Sequence, residues 1–398
     1  MYVLVKRYLE ILPVRYLSKL DNVDEEKFAM YFNDFSGVKI SALAAAVPDQ
    51  HEKIMDYADH FPDGEIEQFC KSIGIHERYS SVGIGTTASD LCVAAAEEIF
   101  SQKNISKDSI DGIIFLTQSP DYATPATSCV IQHRLGLDNC GLVYDANIGC
   151  TAFPFGLQIS CANLMAGCKR VLLLMGDSTI ISLHLTKDDM LFGDCGIAVL
   201  LEKVEDTTQS IKSCVHTIGK KYQSLFAPYG MAKHPLKLFY EDRGIEDTLA
   251  HVGQAVMDGA DVFTFSIKDA PRTTKEFLAH FNFNIDDYDL VSIHQANKMI
   301  VDNVAKRIKA PKEKVLWTLD RYGNTRGAST ALNICDYVEQ NNIHTGTKRI
   351  LNLAFGIGLN IALADFELDV SGVLPIIKTT KVYDDGIDNF THFMDDKK

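Results

Sequence analysis

Two stretches of this chain each occur twice, at almost the same spacing. Asp111–Gln118 (DGIIFLTQ), a short apolar run ending in polar residues, is echoed by Asp289–Asn297 (DLVSIHQAN), 178 residues further on. Lys169–Asp177 (KRVLLLMGD) is echoed by Lys348–Gly356 (KRILNLAFG), 179 residues further on. A glycine-punctuated turn and a second apolar run follow each of the latter: FGDCGIAVLLE at 192–202 and FGIGLNIALADFEL at 355–368. Self-similarity at a fixed period marks repeated structural units, here two halves at 38–205 and 206–368. Within them short apolar runs alternate with longer helical patterns such as TASDLCVAAAEEIF and MIVDNVAKRI. Continuous apolar strands between helices mean sheets covered on both faces. Two such α/β halves side by side predict a five-layered αβαβα body, one interlocked domain rather than two separable ones.

The ends read differently. Residues 1–37 hold two charged amphipathic pieces, at 1–20 and 24–33, ahead of the strand-like run Val38–Val47, and Met30 is a candidate start of translation that N-terminal sequencing would test. The run MYVLVKRYLEILPVRYLSKL interrupts its apolar stretch with Lys6, Arg7 and Glu10 and has no small-residue cleavage site, so it is a poor signal peptide. The segment 369–398 is acidic and ends in THFMDDKK. Such an end reads as a peripheral extension.

Composition narrows the partners. With 46% hydrophobic and 23% charged residues the chain suits a globular protein with a large core. A net charge of −14 repels a phosphate backbone, which argues against nucleic acid. No apolar run reaches the roughly 18 residues of a membrane-spanning helix. The ten cysteines are scattered without a CxxC pair. Neither a zinc site nor a disulfide framework follows from them, and a reducing cytoplasmic location is expected.

One cysteine stands apart. In GLVYDANIGCTAFPFGLQISCANLMAG (Gly141–Gly167) a strand runs into a small turn and then into a helical pattern beginning near Cys150. Free N–H groups at a helix start, with roughly half a unit of positive charge, favour an anion. Thiolate is the nucleophile, so this placement predicts a cysteine pKa lowered toward neutrality. By itself the pattern also fits a structural cysteine.

Further motifs in the chain decide between these readings. DANIGCTAFPFGLQIS resembles the nucleophile segment of β-ketoacyl-acyl-carrier-protein synthase III enzymes, members of the thiolase superfamily. VSIHQAN (291–297) is similar to that family's histidine motif and LDRYGNTRGAS (319–329) to its asparagine motif. FGDCGIAVLLE and AFGIGLN resemble its two glycine turns, and SPDYATPATSCVIQHRLGL (119–137) its dimer-interface helix and acyl-pocket loop. The resemblance spans residues 38–368 and implies a thiolase fold. It implies that Cys150 accepts an acyl group as a thioester, with the N–H groups of Cys150 and Ile357 as the oxyanion hole. It further implies that His294 and Asn324 stabilise the enolate left when a malonyl thioester loses carbon dioxide, the condensing chemistry of fatty-acid biosynthesis. Thr124, Phe355 and Phe69 become candidates for the acyl or substrate pocket. No metal or cofactor is implied beyond acyl-CoA or acyl-carrier-protein thioesters, and a homodimer is.

FGIGLN lacks the second cysteine of a thiolase proper, and SSVGIGTTASDL (80–91) has no carboxylate before Asp90 where hydroxymethylglutaryl-CoA synthases place a glutamate. Other departures mark a specialised paralogue. Gln68 and Ser72 stand where housekeeping members carry the tryptophan and arginine that clamp CoA, and Thr124 stands where a bulky phenylalanine often closes the acyl pocket. Arg326 replaces a small residue in the asparagine motif. Met299 replaces a carrier-docking arginine, but Lys298, Lys306 and Arg307, with Lys309, Lys312 and Lys314, form a local basic cluster suited to an acidic acyl carrier protein. Two alternatives stay open: transfer of the acyl group from Cys150 to an oxygen or nitrogen acceptor in a secondary-metabolite or cell-surface sugar pathway, and a non-catalytic partner subunit.

Overall fold

The computed structural model describes residues 29–179, 186–244 and 255–387. Most of the two amphipathic pieces expected before Val38, and the THFMDDKK end, lie outside the described residues.

Two sheets face each other across a helical middle layer. In chain order the sheet strands are β1 (Met30–Ser36), β2 (Val38–Pro48), β3 (Gly112–Leu116), β4 (Leu142–Ala146), β5 (Arg170–Asp177), β6 (Cys195–Lys203), β7 (Ser210–Thr217), β8 (Leu290–Ile293), β9 (Thr347–Gly356), β10 (Asn360–Asp369) and β11 (Ile377–Thr379). The first sheet has the order β11-β2-β6-β5-β3-β4 and the second β1-β7-β10-β9-β8. The sequence echo is visible as shared topology. β3 lies parallel to β5 with Gly112 opposite Val171, and β8 lies parallel to β9 with Leu290 opposite Ile350. Each of β5 and β9 then turns back into an antiparallel neighbour, which pairs with β2 or β7.

The apolar runs are explained by burial on both faces. Along β2, Ala42, Ala44 and Ala46 face one cluster, while Leu43, Ala45 and Val47 face another. The first cluster holds the outer helices α1 (Ala88–Lys103) and α2 (Thr127–Leu135) on the first sheet. The second is the centre, where α3 (Ala152–Ala166) and α4 (Ser329–Gln340) lie between the sheets. Helices α5 (Ala270–His280) and α6 (Lys298–Ile308) cover the far face of the second sheet. The layers therefore run α, β, α, β, α. α3 is apolar along most of its length, and Phe153, Leu157, Cys161 and Leu164 on it are all fully buried.

The termini exchange sheets. β1, part of the stretch read from sequence as an extension, pairs antiparallel with β7 from Met30 opposite His216 to Ser36 opposite Ser210. Its alternation buries Phe32 against the rings of His280, 4.0 Å away and stacked, and Phe281. A period of two, not of helical spacing, is what this segment satisfies. β11, beyond residue 368, adds to the other sheet, with Ile377 beside Ala46.

Candidate active site

Cys150 comes from the first half and the remaining site groups from the second. β4 ends at Ala146, and the chain turns so that the Ala152 N–H donates to the Gly149 carbonyl (2.8 Å). α3 begins at Ala152, two residues beyond the cysteine, so Cys150 sits in the turn before the helix rather than at its first residue. Thr151 Oγ1 donates to Asn360 Oδ1 (2.8 Å), both buried, and ties this turn to the start of β10. At the end of β9, a Cβ added to Gly356 would lie 2.6 Å from Cys150 Cβ and 2.8 Å from its Sγ. Only glycine lets that strand end approach the nucleophile so closely.

The expected lowering of the Cys150 pKa does not hold. Burial, and next the nearby Asp177 carboxylate, push the thiol up to about 11, while the Ile357 N–H, the Arg326 guanidinium and the residue's own N–H pull the other way. Desolvation disfavours the thiolate more than these groups favour it. Two main-chain donors, the N–H groups of Ile357 and of Cys150 itself, thus act on the sulfur.

His294 follows β8, and its N–H continues the strand pairing to the Leu353 carbonyl (2.9 Å). Its ring is buried, Nδ1 lies 2.7 Å from Ser329 Oγ, and the Phe355 ring packs against it in a T-shaped pair at 5.7 Å and 88°. Burial pushes the imidazole down to about 4, so it is neutral. Asn324 is held by main-chain bonds: its N–H donates to the Leu191 carbonyl (2.9 Å), and its carbonyl accepts from Gly193 N–H (3.3 Å). Its side-chain Oδ1 accepts from the Arg326 N–H (2.9 Å), which leaves the amide NH2 as the free donor. Phe355 and Ile357 therefore link His294 to Cys150, and Arg326 links Asn324 to it.

Three groups in this arrangement were not assigned roles from sequence. Ser329, the last letter of the asparagine motif, faces His294. Buried Arg78 bonds the Asp189 and Phe192 carbonyls and so pins the loop that holds Asn324. Asp177 closes β5 behind Cys150. Its Oδ1 accepts from Gln118 N–H (2.7 Å) and Thr117 Oγ1 (3.2 Å). The Gly327 N–H also acts on the Asp177 carboxylate, although its second oxygen makes no hydrogen bond of ordinary geometry among the described residues.

The peripheral candidates divide. Phe69 packs with Ile54, Ile66, Ile75 and Met190 in a small core cluster, the apolar contact that the amphipathic helix carrying it needs. Thr124 is exposed in the loop entering α2. Lys298 pairs with Asp302 (2.7 Å) at the start of α6 and lies over the Trp317 ring at 5.6 Å. Lys306 is exposed and Arg307 half-buried at that helix's other end. Among the described residues no group of three or more His, Cys, Asp or Glu side chains is placed to hold a metal ion, and no helix is long and apolar enough to cross a membrane.

A five-layered body with Cys150 pressed against the end of β9, and His294 at the end of the neighbouring strand β8, has the architecture of a thiolase-fold acyltransferase. Comparison with known proteins agrees. Residues 144–219 match the family profile "3-Oxoacyl-[acyl-carrier-protein (ACP)] synthase III" and residues 278–367 the profile of that family's C-terminal part. The chain is 32% identical over 299 residues to a beta-ketoacyl-[acyl-carrier-protein] synthase III of Clostridium perfringens, covering 74% of this chain and 88% of that one. It is 31% identical over 332 residues to the enzyme of the same name from Streptococcus pyogenes serotype M4, covering 81% and 96%. A solved 3-oxoacyl-(acyl-carrier protein) synthase from Burkholderia xenovorans LB400 superposes with a TM-score of 0.80 at 28% identity, covering 88% of this chain and 99% of that one. The chain belongs to the 3-oxoacyl-[acyl-carrier-protein] synthase III family, and it is a condensing acyltransferase of that type.

Proposed function

We propose that this enzyme carries an acyl group on Cys150 and condenses it with a malonyl thioester. Cys150 Sγ attacks the acyl thioester, and the oxyanion that forms is met by the N–H groups of Ile357 and Cys150, which already converge on the sulfur. The departing thiolate takes the proton that the thiol gives up. This suits a thiol that rests protonated.

A malonyl thioester then enters. Its carboxylate leaves as carbon dioxide, the bonding pair moves into an enolate, and the enolate oxygen accepts hydrogen bonds from His294 Nε2–H and the Asn324 amide. Condensation needs the proton on Nε2, and in that tautomer Nδ1 accepts from the Ser329 hydroxyl that lies 2.7 Å away. The enolate carbon attacks the acyl-Cys150 carbonyl, the C–S bond breaks, and the Cys150 thiolate regains a proton as the β-ketoacyl thioester leaves.

The observation that carries this reading is the Asn324 amide. Its oxygen is committed to Arg326 N–H, so beside a neutral imidazole it offers a second donor and no base. Acyl transfer to an oxygen or nitrogen nucleophile would call for a basic histidine, which a pKa near 4 does not supply. A malonyl thioester assay that follows carbon dioxide release tests the choice. Release dependent on acyl-loaded enzyme supports condensation, and transfer of the acyl group without release contradicts it.

The same reading extends to partners. An acyl carrier protein or acyl-CoA would approach over the basic cluster of Lys298, Lys306 and Arg307. Among the described residues β4 ends the first sheet with one unpaired edge, and all five of its residues are only half-buried, which supports a homodimer formed along that edge and α2. All ten cysteines are free of disulfides, which supports a reducing, cytoplasmic setting. Small Thr124 in the loop before α2 supports a primer longer or more branched than acetyl, and Arg326 marks a specialised paralogue.

A further inference from the structure

Arg326 occupies a position where a side chain is costly and a charge is more so. Its φ is +51°, a left-handed conformation in which non-glycine residues are uncommon. The turn it opens is pressed against the nucleophile. A Cβ added to the next residue, Gly327, would lie 2.9 Å from both the Gly149 carbonyl oxygen and Ala152 Cβ, and 3.7 Å from Asp177 Oδ2. From that turn the guanidinium reaches Thr179 Oγ1 (2.6 Å) and Asp194 Oδ1 (3.3 Å), with Phe192 beneath it at 4.6 Å. Asp194 is itself fixed by the Ser81 and Thr179 N–H groups, at 2.7 and 3.0 Å. The cation is thus clamped on three sides. Solvent screens it little, since its side chain is 19% exposed.

We infer that Arg326 is a positioning residue with two tasks: its N–H orients the Asn324 amide, and its guanidinium offsets the Asp177 carboxylate behind Cys150 so that the thiol remains able to ionise. This deepens the acyl-Cys150 reading and rests on it. The charged and titratable groups around the thiol are few. Asp177 comes from the end of β5 and Asp194 from the start of β6, Arg326 from the turn before α4, and neutral His294 from the end of β8. Cys92 of α1 faces Asp177 and Cys195 faces Asp194, both held protonated by burial. Arg326 is the one cation in this set, and it acts on Cys150, Asp177 and Asp194 alike. Without it, the buried Asp177 carboxyl would act on the nucleophile with no counter-charge, and Asp194 would lose its cation.

The test reads the thiol directly and needs no acyl substrate. Iodoacetamide labelling of Cys150 is followed against pH by peptide mass spectrometry in the unaltered protein, Arg326→Gly, Arg326→Lys and Arg326→Gly/Asp177→Asn. Glycine tolerates the left-handed backbone, so Arg326→Gly removes the guanidinium while keeping the turn. The labelling midpoint is expected to rise by about one pH unit in Arg326→Gly, roughly tenfold slower labelling at a fixed pH below it. Arg326→Lys should restore most of the difference, and the double variant should fall back toward the unaltered protein. An unchanged midpoint in folded Arg326→Gly, judged by its thermal transition, would overturn the role. Acyl loading of the unaltered protein, measured in parallel, reports separately on the acyl-Cys150 reading.

Discussion

Burial that pushes His294 down to about 4 keeps its imidazole neutral throughout the neutral range, and the Ser329 hydroxyl beside Nδ1 can donate to the tautomer that carries its proton on Nε2. These two effects belong to single residues and can be separated. Ser329→Ala leaves the ring buried but frees the tautomer. A lost neutral hydrogen bond of about 0.5–1.5 kcal/mol corresponds to a fall in carbon dioxide release of up to about tenfold, with acyl loading on Cys150 unchanged. Stopped-flow decarboxylation and intact mass measure the two. Equal loss of both would count against the assignment. The sequence motifs pointed to Cys150, His294 and Asn324 as the proposed site, and to Ile357, whose N–H acts on the Cys150 sulfur. They did not reveal the direction of the Cys150 pKa, because Asp177 and the burying elements come from β5 and the second sheet, remote in the chain. Phe69 misled for a related reason: an aromatic on an amphipathic helix reads alike whether it meets a ligand or, as here, Ile54 and Met190.

At the scale of elements, the end of β9 is the part with least freedom. Its last residue, Gly356, leaves no room for a methyl group beside Cys150. Gly356→Ala is expected to displace the Ile357 N–H from the sulfur and reduce acyl loading by about 100-fold or more, the usual consequence of losing one oxyanion donor. Overpacking there costs about 1–3 kcal/mol of stability, which chemical denaturation would show. Retained loading would mean that the turn can yield. The duplicated strands were legible because each repeat preserves the same apolar run before the same glycine turn. β1 was not, since its partner β7 begins at Ser210, far along the chain, and its polar residues Asn33 and Asp34 hide a two-residue alternation.

Over the whole molecule, titration and charge set further expectations. His294 has a folded pKa below its ordinary 6.5, so between pH 6.5 and about 4 the unfolded chain binds a proton that the folded chain does not. Its contribution is full above that window and is lost as pH falls, by about 3 kcal/mol at most. Asp177 and Asp194, raised by burial, act in the opposite sense. The informative quantity is therefore a difference: the stability of the unaltered protein relative to His294→Gln should shrink on acidification through that window, as urea titrations at several pH values would show. A flat difference would contradict a buried neutral imidazole. Docking of an acidic carrier to a chain of net charge −14 relies on local basic residues. Lys306→Glu with Arg307→Glu is expected to raise KM for a carrier-bound substrate at least several-fold while leaving kcat nearly unchanged, with the gap closing at high salt. Lys298, already paired with Asp302, should matter less.

The central claim is that one cysteine carries the acyl group and a malonyl thioester removes it with loss of carbon dioxide. Intact-protein mass spectrometry in a single turnover tests this directly. The protein is incubated with a panel of acyl-CoA and acyl-carrier thioesters, then chased with a malonyl thioester. The predicted result is the mass of one acyl group, absent in Cys150→Ala, retained in His294→Ala through the chase, and discharged from the unaltered protein as a β-ketoacyl thioester. An acyl adduct that forms in Cys150→Ala, or one that the malonyl thioester cannot discharge from the unaltered protein, would contradict it.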